Sequence, residues 1–207
     1  IYAADTPPTN AIAPVIHLLE NKYGIIKGHI QYICPTMDEQ QLTDACQYAG
    51  KVNNLKDTNN IATNNNDCSV TAEIFPSLSG HLSCNAIRVP IFGGSLAILV
   101  LEMKKKVSLE DINELFRVCA ASVSKSKVLD ISYDEDFDAN YILQGNPAMA
   151  VIEGRSTKVS FDGNMLTLYI WYDKDYGYCR QIINLASRLE INDQPILKSK
   201  QSALCYN

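Results

Sequence analysis

The sequence predicts an α+β fold: a mixed, mainly antiparallel sheet with helices packed on one face. Three observations carry that expectation. Strand-like runs follow one another with helices inserted singly, rather than in the regular β-α-β alternation of a doubly wound fold. Asp162-Gly163 separates two such runs with the turn chemistry of a tight hairpin, which joins antiparallel strands. Three other segments place apolar residues three and four apart, on one face of a helix. At 207 residues, 46% hydrophobic and 20% charged, the chain can bury a sizeable core. Residues 1–189 read as one domain, and 190–207 as a tail without a period.

The first helix is expected over 10–23, where Ile12, Val15, Ile16, Leu19 and Tyr23 fall at helical spacing, Thr9 or Asn10 can cap, and Gly24 follows the end. Just before it, Pro7 and Pro8 suit a first helical turn, because their missing N–H groups would be unbonded there in any case. A strand over 25–33 follows, stopped by Pro35. From 36 to 67 the pattern dissolves into asparagine-rich sequence, including Asn64-Asn65-Asn66, which is too long for an ordinary connection. Residues 72–78 lead into strands over 82–90 and 95–103, split by Gly93-Gly94. Ser108-Leu109-Glu110-Asp111 resembles a capping box, with Ile112, Leu115, Phe116, Cys119 and Val123 as the apolar stripe of the helix behind it. Strands are expected over 128–132, 148–152, 158–161 and 165–172, with a solvated acidic turn across 130–136. A last helix, 178–189, carries Ile182, Ile183, Leu185, Ala186 and Leu189.

Charge and cysteine usage narrow the function classes. A formal net charge of −5 argues against a nucleic-acid footprint, which needs a basic face. No apolar run approaches the ~20 residues that cross a bilayer, and the start lacks the features of a signal peptide; the reading is cytoplasmic. Seven cysteines at irregular spacing, without a C-x-x-C pair, and three scattered histidines make neither a metal site nor a disulfide framework expected. Buried free thiols are the expectation instead. The chain begins at Ile1 and enters structure at once, so the expectation is that either something was removed or the chain is a piece of a longer product.

Four separated stretches then carry a resemblance: Thr9-Asn10-Ala11-Ile12-Ala13-Pro14, Tyr23-Gly24-Ile25, Ala86-Ile87-Arg88-Val89-Pro90, and Trp171-Tyr172-Asp173 with Gly177-Tyr178. In order and spacing they resemble the catalytic domain of glyceraldehyde-3-phosphate dehydrogenases. That family's chemistry needs a thiolate nucleophile, a base, an anion site for the substrate phosphate and a nicotinamide cofactor. The resemblance puts Pro7 at the nucleophile and Cys34 at the base. Cys34 itself reads as a buried structural thiol, with no histidine placed to activate it. Met37 and Glu39 fall on phosphate-binding threonines, and a carboxylate at Glu39 repels a phosphate. The family's Ser-Thr-Gly anion loop falls on Asn64-Asn65-Asn66.

Arg88 and Thr6 are the surviving anion-site positions, although Arg88 reads equally well as a partner for Asp38 or Glu39. Asn10 and Lys174 occupy the cofactor-facing positions, Lys174 where the family orients the nicotinamide with an asparagine. Trp171-Tyr172 reads as core or subunit-contact surface. In the family a long S-shaped loop reaches toward a neighbouring subunit's cofactor; it falls on 36–67, expected to be partly disordered without a partner.

The expected function is therefore a catalytically degenerate domain with a structural, assembly or regulatory role. Two alternatives remain open: an oxidoreductase completed by a nucleotide-binding domain or partner chain, and an anion or metabolite sensor. No G-x-G-x-x-G fingerprint occurs in the sequence, so the chain itself is expected to hold no cofactor, and NAD only if a nucleotide-binding domain is supplied. Partners are expected through the sheet and the 178–189 helix, as a homo-oligomer or with another chain. The apolar stripe of that helix further suggests a nucleotide-binding-like domain ahead of Ile1, or a separate chain with the same groove.

Overall fold

The computed structural model describes residues 6–35, 61–63, 73–89, 94–126, 131–135 and 146–192. Its sheet confirms the α+β expectation. Strands β1 (Ile25–Pro35), β2 (Ile61–Thr63), β3 (Leu82–Val89), β4 (Ser95–Met103), β5 (Ile131–Asp134), β6 (Ala150–Glu153), β7 (Lys158–Val159) and β8 (Met165–Tyr172) form one sheet in the order β2-β3-β1-β4-β8-β6-β5, with β7 on β8. The β1–β3 and β5–β6 pairs are parallel. The other pairs are antiparallel.

Helix α1 (Pro7–Lys22) starts three residues earlier than its apolar period suggests, with Thr6 as N-cap. Pro7 and Pro8 form the first turn, where a missing N–H costs nothing. The helix ends as expected: Gly24 has φ 74, and its N–H reaches back to the carbonyls of Leu19 and Glu20, a left-handed stop that a side chain would oppose. The Glu20 carboxylate accepts from the Ile25 N–H at 2.6 Å and from Ser77 Oγ at 3.1 Å. It thus ties the end of α1 to the start of β1 and to the short 3-10 turn Pro76–Leu78.

Helix α2 (Leu109–Ser126) starts at the predicted box, where Ser108 Oγ accepts from the Asp111 N–H at 3.1 Å and donates to its carboxylate at 2.8 Å. Ile12, Val15, Ile16 and Leu19 of α1 and Ile112 and Phe116 of α2 are fully buried against Ile30, Leu99, Leu101, Leu166, Leu168 and Ile170. One sheet face and the two helices thereby share a single core, built by the period of 2 along each strand and 3.6 along each helix. The opposite face carries His29, Gln31, Asn85, Val100, Thr167 and Tyr169, all half-buried or exposed.

Several expectations need correction. Ile61–Thr63, inside the stretch read as patternless, is an edge strand paired with β3, a long-range pairing that no local period reveals. The rest of the loop call lies outside the described residues. The run expected over 158–161 stops at Val159 because Ser160 Oγ donates to Asp162 Oδ1 at 2.5 Å and accepts from the Met165 N–H at 2.8 Å, closing the Asp162-Gly163 turn early and leaving Phe161 fully exposed. Strand β6 starts two residues later than expected and β5 runs on to Asp134, the two being paired from Ile131 and Ala150 onward; residues 128–130 lie outside the described residues.

The acidic run is not wholly a solvated turn. Asp134 belongs to β5, and Glu135 is held by Arg117 of α2 and by the Tyr133 hydroxyl. The last helix, α3, spans Tyr176–Asn192, two residues earlier than its apolar stripe. Asp173 Oδ1 accepts from the N–H groups of Asp175 and Tyr176, which supplies that earlier start. Finally, the expectation of buried free thiols holds only in part: Cys34 is free and half-buried, Cys179 is free but exposed, and Cys84 is disulfide-bonded.

Candidate functional site

α1 runs antiparallel to β1, so its N-terminus lies at the end of the sheet where β1 and β3 finish. Antiparallel pairing brings the start of β4 and the end of β8 to the same end, with Ser95 opposite Tyr172. The topology therefore gathers Thr6, Pro7 and Asn10 from α1, Cys34 from β1, Arg88 from β3, and Lys174 from the turn after β8 at one end of the domain. Asp38, Met37, Glu39 and Asn64-Asn65-Asn66 lie outside the described residues.

Each of these positions has a local explanation. Thr6 Oγ1 is 3.0 Å from Thr9 Oγ1, and the Asn10 amide donates to the Thr6 carbonyl at 3.0 Å. Pro7 offers neither a nucleophilic atom nor an N–H, so the positive end of the helix dipole meets no ionisable group at this residue. Cys34 and Arg88 are register partners on the parallel pair β1–β3. The Cys34 sulfur is 3.9 Å from the hydroxyl of buried Tyr172. Burial first, then the charge and hydrogen bond of Cys34, push the Tyr172 phenol well above its ordinary range. It stays protonated at physiological pH and so cannot serve Cys34 as a base.

Arg88 Nη1 donates to the Pro35 carbonyl at 3.3 Å, while its buried Nε has no hydrogen-bond partner. Among the described residues this Nε–H has no acceptor, at the position where the resemblance puts an anion. Trp171 faces the other way. Its indole N–H donates to Glu153 Oε2 at 2.8 Å, and Ser156 holds the second oxygen, so this ring bonds within the sheet. Lys174 lies in the turn that Asp173 caps, and it is half-buried.

Sequence reasoning missed both Tyr172 as the neighbour of Cys34 and Glu153 as the acceptor for Trp171. The first contact spans 138 residues, beyond any local period. The only signal for it was the presence of Tyr172 in an anchor of the resemblance. No group of three metal-ligating side chains occurs among the described residues. The Asn10 amide is engaged with its own helix start, and Lys174 lies in the turn after β8.

A mixed sheet with a helix N-terminus over its strand ends, and with all four anchors on one chain, defines a domain of the dehydrogenase catalytic type. The family model described as glyceraldehyde 3-phosphate dehydrogenase, C-terminal domain, matches residues 8–174, and the chain belongs to that family. It is 31% identical over 186 residues to a glyceraldehyde-3-phosphate dehydrogenase-like protein of Pseudomonas aeruginosa, covering 89% of this chain and 40% of that protein. It is 30% identical to glyceraldehyde-3-phosphate dehydrogenase 1 of Bacillus cereus, covering 86% of this chain and 52% of that one. With glyceraldehyde-3-phosphate dehydrogenase of Streptomyces coelicolor it shares 28% identity, again over 86% and 52%. The chain thus spans about half the length of the curated relatives it matches. No helix among the described residues is long and apolar enough to cross a membrane.

Proposed function

We propose that this chain is a catalytically degenerate member of its family, retained for a structural, assembly or regulatory role. The observation that carries the reading is Pro7 in the first turn of α1, where the resemblance puts the nucleophile. Acyl transfer through a thioester requires an attacking sulfur at that point, and proline has none. The neighbouring thiol supports the same reading, because Cys34 faces a protonated phenol rather than a base. The test is NAD-dependent oxidation of glyceraldehyde 3-phosphate by the purified protein, alone and with an intact relative. Absence of turnover beyond that of the relative supports degeneracy, and turnover by the chain itself rejects it.

Assembly is proposed to use the sheet face and α3. Ile182 and Ile183 of α3 are 38% and 64% exposed, an apolar pair that favours a covering partner. A second reading, an anion sensor at Arg88, is favoured by the unused Nε–H of that side chain. An anion-dependent rise in melting temperature, abolished in Arg88→Gln, separates it from the first.

A further inference from the structure

Away from Pro7 and Cys34, the far end of the domain gathers the C-terminus of α1, the end of β4, the start of α2 and the turn between β7 and β8. Backbone hydrogen bonds fasten these pieces together. The Lys104 and Lys105 N–H groups donate to the carbonyls of Gly24 and Tyr23, and those of Met103 and Val107 donate to the carbonyls of Asn164 and Gly163. Lys105 Nζ donates to the Lys22 carbonyl at 3.0 Å, and a Cβ added at Gly163 would lie 3.3 Å from Lys106 Cβ. The run Lys104-Lys105-Lys106 thus lies between Lys22 and the hairpin turn, and all four lysines are exposed.

The turn is fixed by its own side chains. Asp162 accepts from Ser160 Oγ at 2.5 Å and from the Asn164 amide at 2.8 Å, while Ser160 Oγ accepts from the Met165 N–H at 2.8 Å. Phe161, between these pinned neighbours, stands fully exposed. A phenyl ring left in water is unfavourable, and here it sits beside four cations. None of the four ammonium groups has a carboxylate within ion-pair distance among the described residues. Asp162 and Asp111 are occupied within their own turns, and exposed Glu110 is the carboxylate that opposes an anion here.

We propose that this end docks on an anionic lipid surface, with Phe161 entering the boundary between headgroups and acyl chains and Lys22, Lys104, Lys105 and Lys106 facing the lipid charges. Stable attachment takes two signals, such as an inserted apolar group and a basic patch, and both occur here on one rigid end. Shape favours a lipid over a peptide or a nucleic acid. Peptides are held in grooves or at sheet edges, and single strands lie in basic grooves lined with stacking rings, whereas this ring projects from a turn. The net charge of −5 does not prevent the contact: beyond a Debye length of about 8 Å at physiological salt remote carboxylates are screened, and the nearby lysines decide. The contact is peripheral and needs no spanning segment. It is built from turns at the sheet's end, so subunits paired through the open sheet face or α3 keep it at their periphery, and it stands whether or not the Pro7 end is degenerate.

The test is co-sedimentation of the full chain with vesicles of phosphatidylcholine containing phosphatidylserine, against vesicles of phosphatidylcholine alone. Saturable binding to the first, falling as salt rises, is expected, with little binding to the second. Lys104→Gln, Lys105→Gln and Lys106→Gln combined should weaken binding roughly a hundredfold, at about fivefold per lysine, and Phe161→Ser should weaken it roughly tenfold. Val118→Ser, at an exposed apolar position midway along α2, should bind as the parent does, and all these variants should keep the parent's melting temperature. Phe161→Trp should retain binding and show quenching by brominated acyl chains beyond that of Trp171 in the parent. Equal binding to both kinds of vesicle, no binding to either, or a triple-lysine or Phe161→Ser variant that binds like the parent overturns the proposal. So does the absence of added quenching in Phe161→Trp. Tighter binding to a single-stranded oligonucleotide or to polyglutamate than to the anionic vesicles overturns the lipid assignment.

Discussion

Cys34 and Arg88 stand side by side on adjacent parallel strands, yet each is engaged elsewhere: the thiol faces the Tyr172 hydroxyl at 3.9 Å, and the guanidinium donates to the Pro35 carbonyl. Tyr172 is thereby enclosed, 2% exposed, with its phenol held protonated mainly by burial. A group whose pKa is higher in the folded state binds its proton more tightly there than in the unfolded chain. Its contribution to stability is complete below the unfolded value, about 10 for tyrosine, and is lost as pH rises above it toward the folded value. Urea midpoints against pH should therefore fall more steeply above pH ~10 for the parent than for Tyr172→Phe. At neutral pH the variant should lose only about 1 kcal/mol, the worth of one weak hydrogen bond. Parallel alkaline limbs for the two proteins would refute the linkage.

Gly28 sits in the central strand β1, where an added Cβ would lie 2.5 Å from Leu101 Cδ2 and 2.9 Å from the Val100 carbonyl oxygen. The leucine methyl can rotate, whereas the carbonyl belongs to the β1–β4 ladder and cannot yield without distorting it. Gly28→Ala should cost about 1–3 kcal/mol, the usual penalty of overpacking, despite alanine's better strand propensity. Chemical denaturation measures it, and an unchanged or higher midpoint would mean that the ladder shifts freely.

How much of this was legible in the sequence depends on the range of the interaction involved. The boundaries of β4 and β8 were readable because their alternation and turn residues are local, and the Ser108–Asp111 cap because its parts are three residues apart. The start of α1 was legible from Pro7 and Pro8, which suit a first turn, and not from the apolar period, which begins three residues later. Strand β2 and the Cys34–Tyr172 contact were invisible because both depend on partners far along the chain. The site's positions came from resemblance alone. No period or spacing points to Pro7 or Cys34, and the structure adds only what each of them touches.

Pro7→Cys tests the degenerate reading most directly. A thiol in the first turn of α1 would gain the helix dipole, which favours its ionised form. It would still lack a base, since Cys34 occupies that position and faces the Tyr172 phenol. Catalytic groups that act as a unit are strongly non-additive, so restoring one leaves turnover at background. Alkylation by iodoacetamide should become faster at the new thiol while NAD-dependent oxidation of glyceraldehyde 3-phosphate stays undetectable. Appreciable turnover in the single variant would sink the degenerate reading.

The final expectation concerns association through α3. Ile183 is 64% exposed and Ile182 38%, and Ala186 one turn on is exposed too, so these three residues form an outward-facing apolar strip among the described residues. Covering a largely exposed isoleucine removes enough apolar surface to contribute about 1–2 kcal/mol. The chain is therefore expected to sediment as a dimer or larger, and Ile182→Ser with Ile183→Ser should weaken association by roughly tenfold or more, since 1.4 kcal/mol is a factor of ten in Kd. The substitutions lie outside the core, so the melting temperature extrapolated to low concentration should barely change. A parent that sediments as a clean monomer at high concentration removes the homo-oligomer and leaves a different chain as the partner. An oligomer that the double variant leaves intact transfers the interface to the open sheet face, where Tyr169 and Trp171 lie half-buried, and Tyr169→Ser then becomes the variant that must dissociate it.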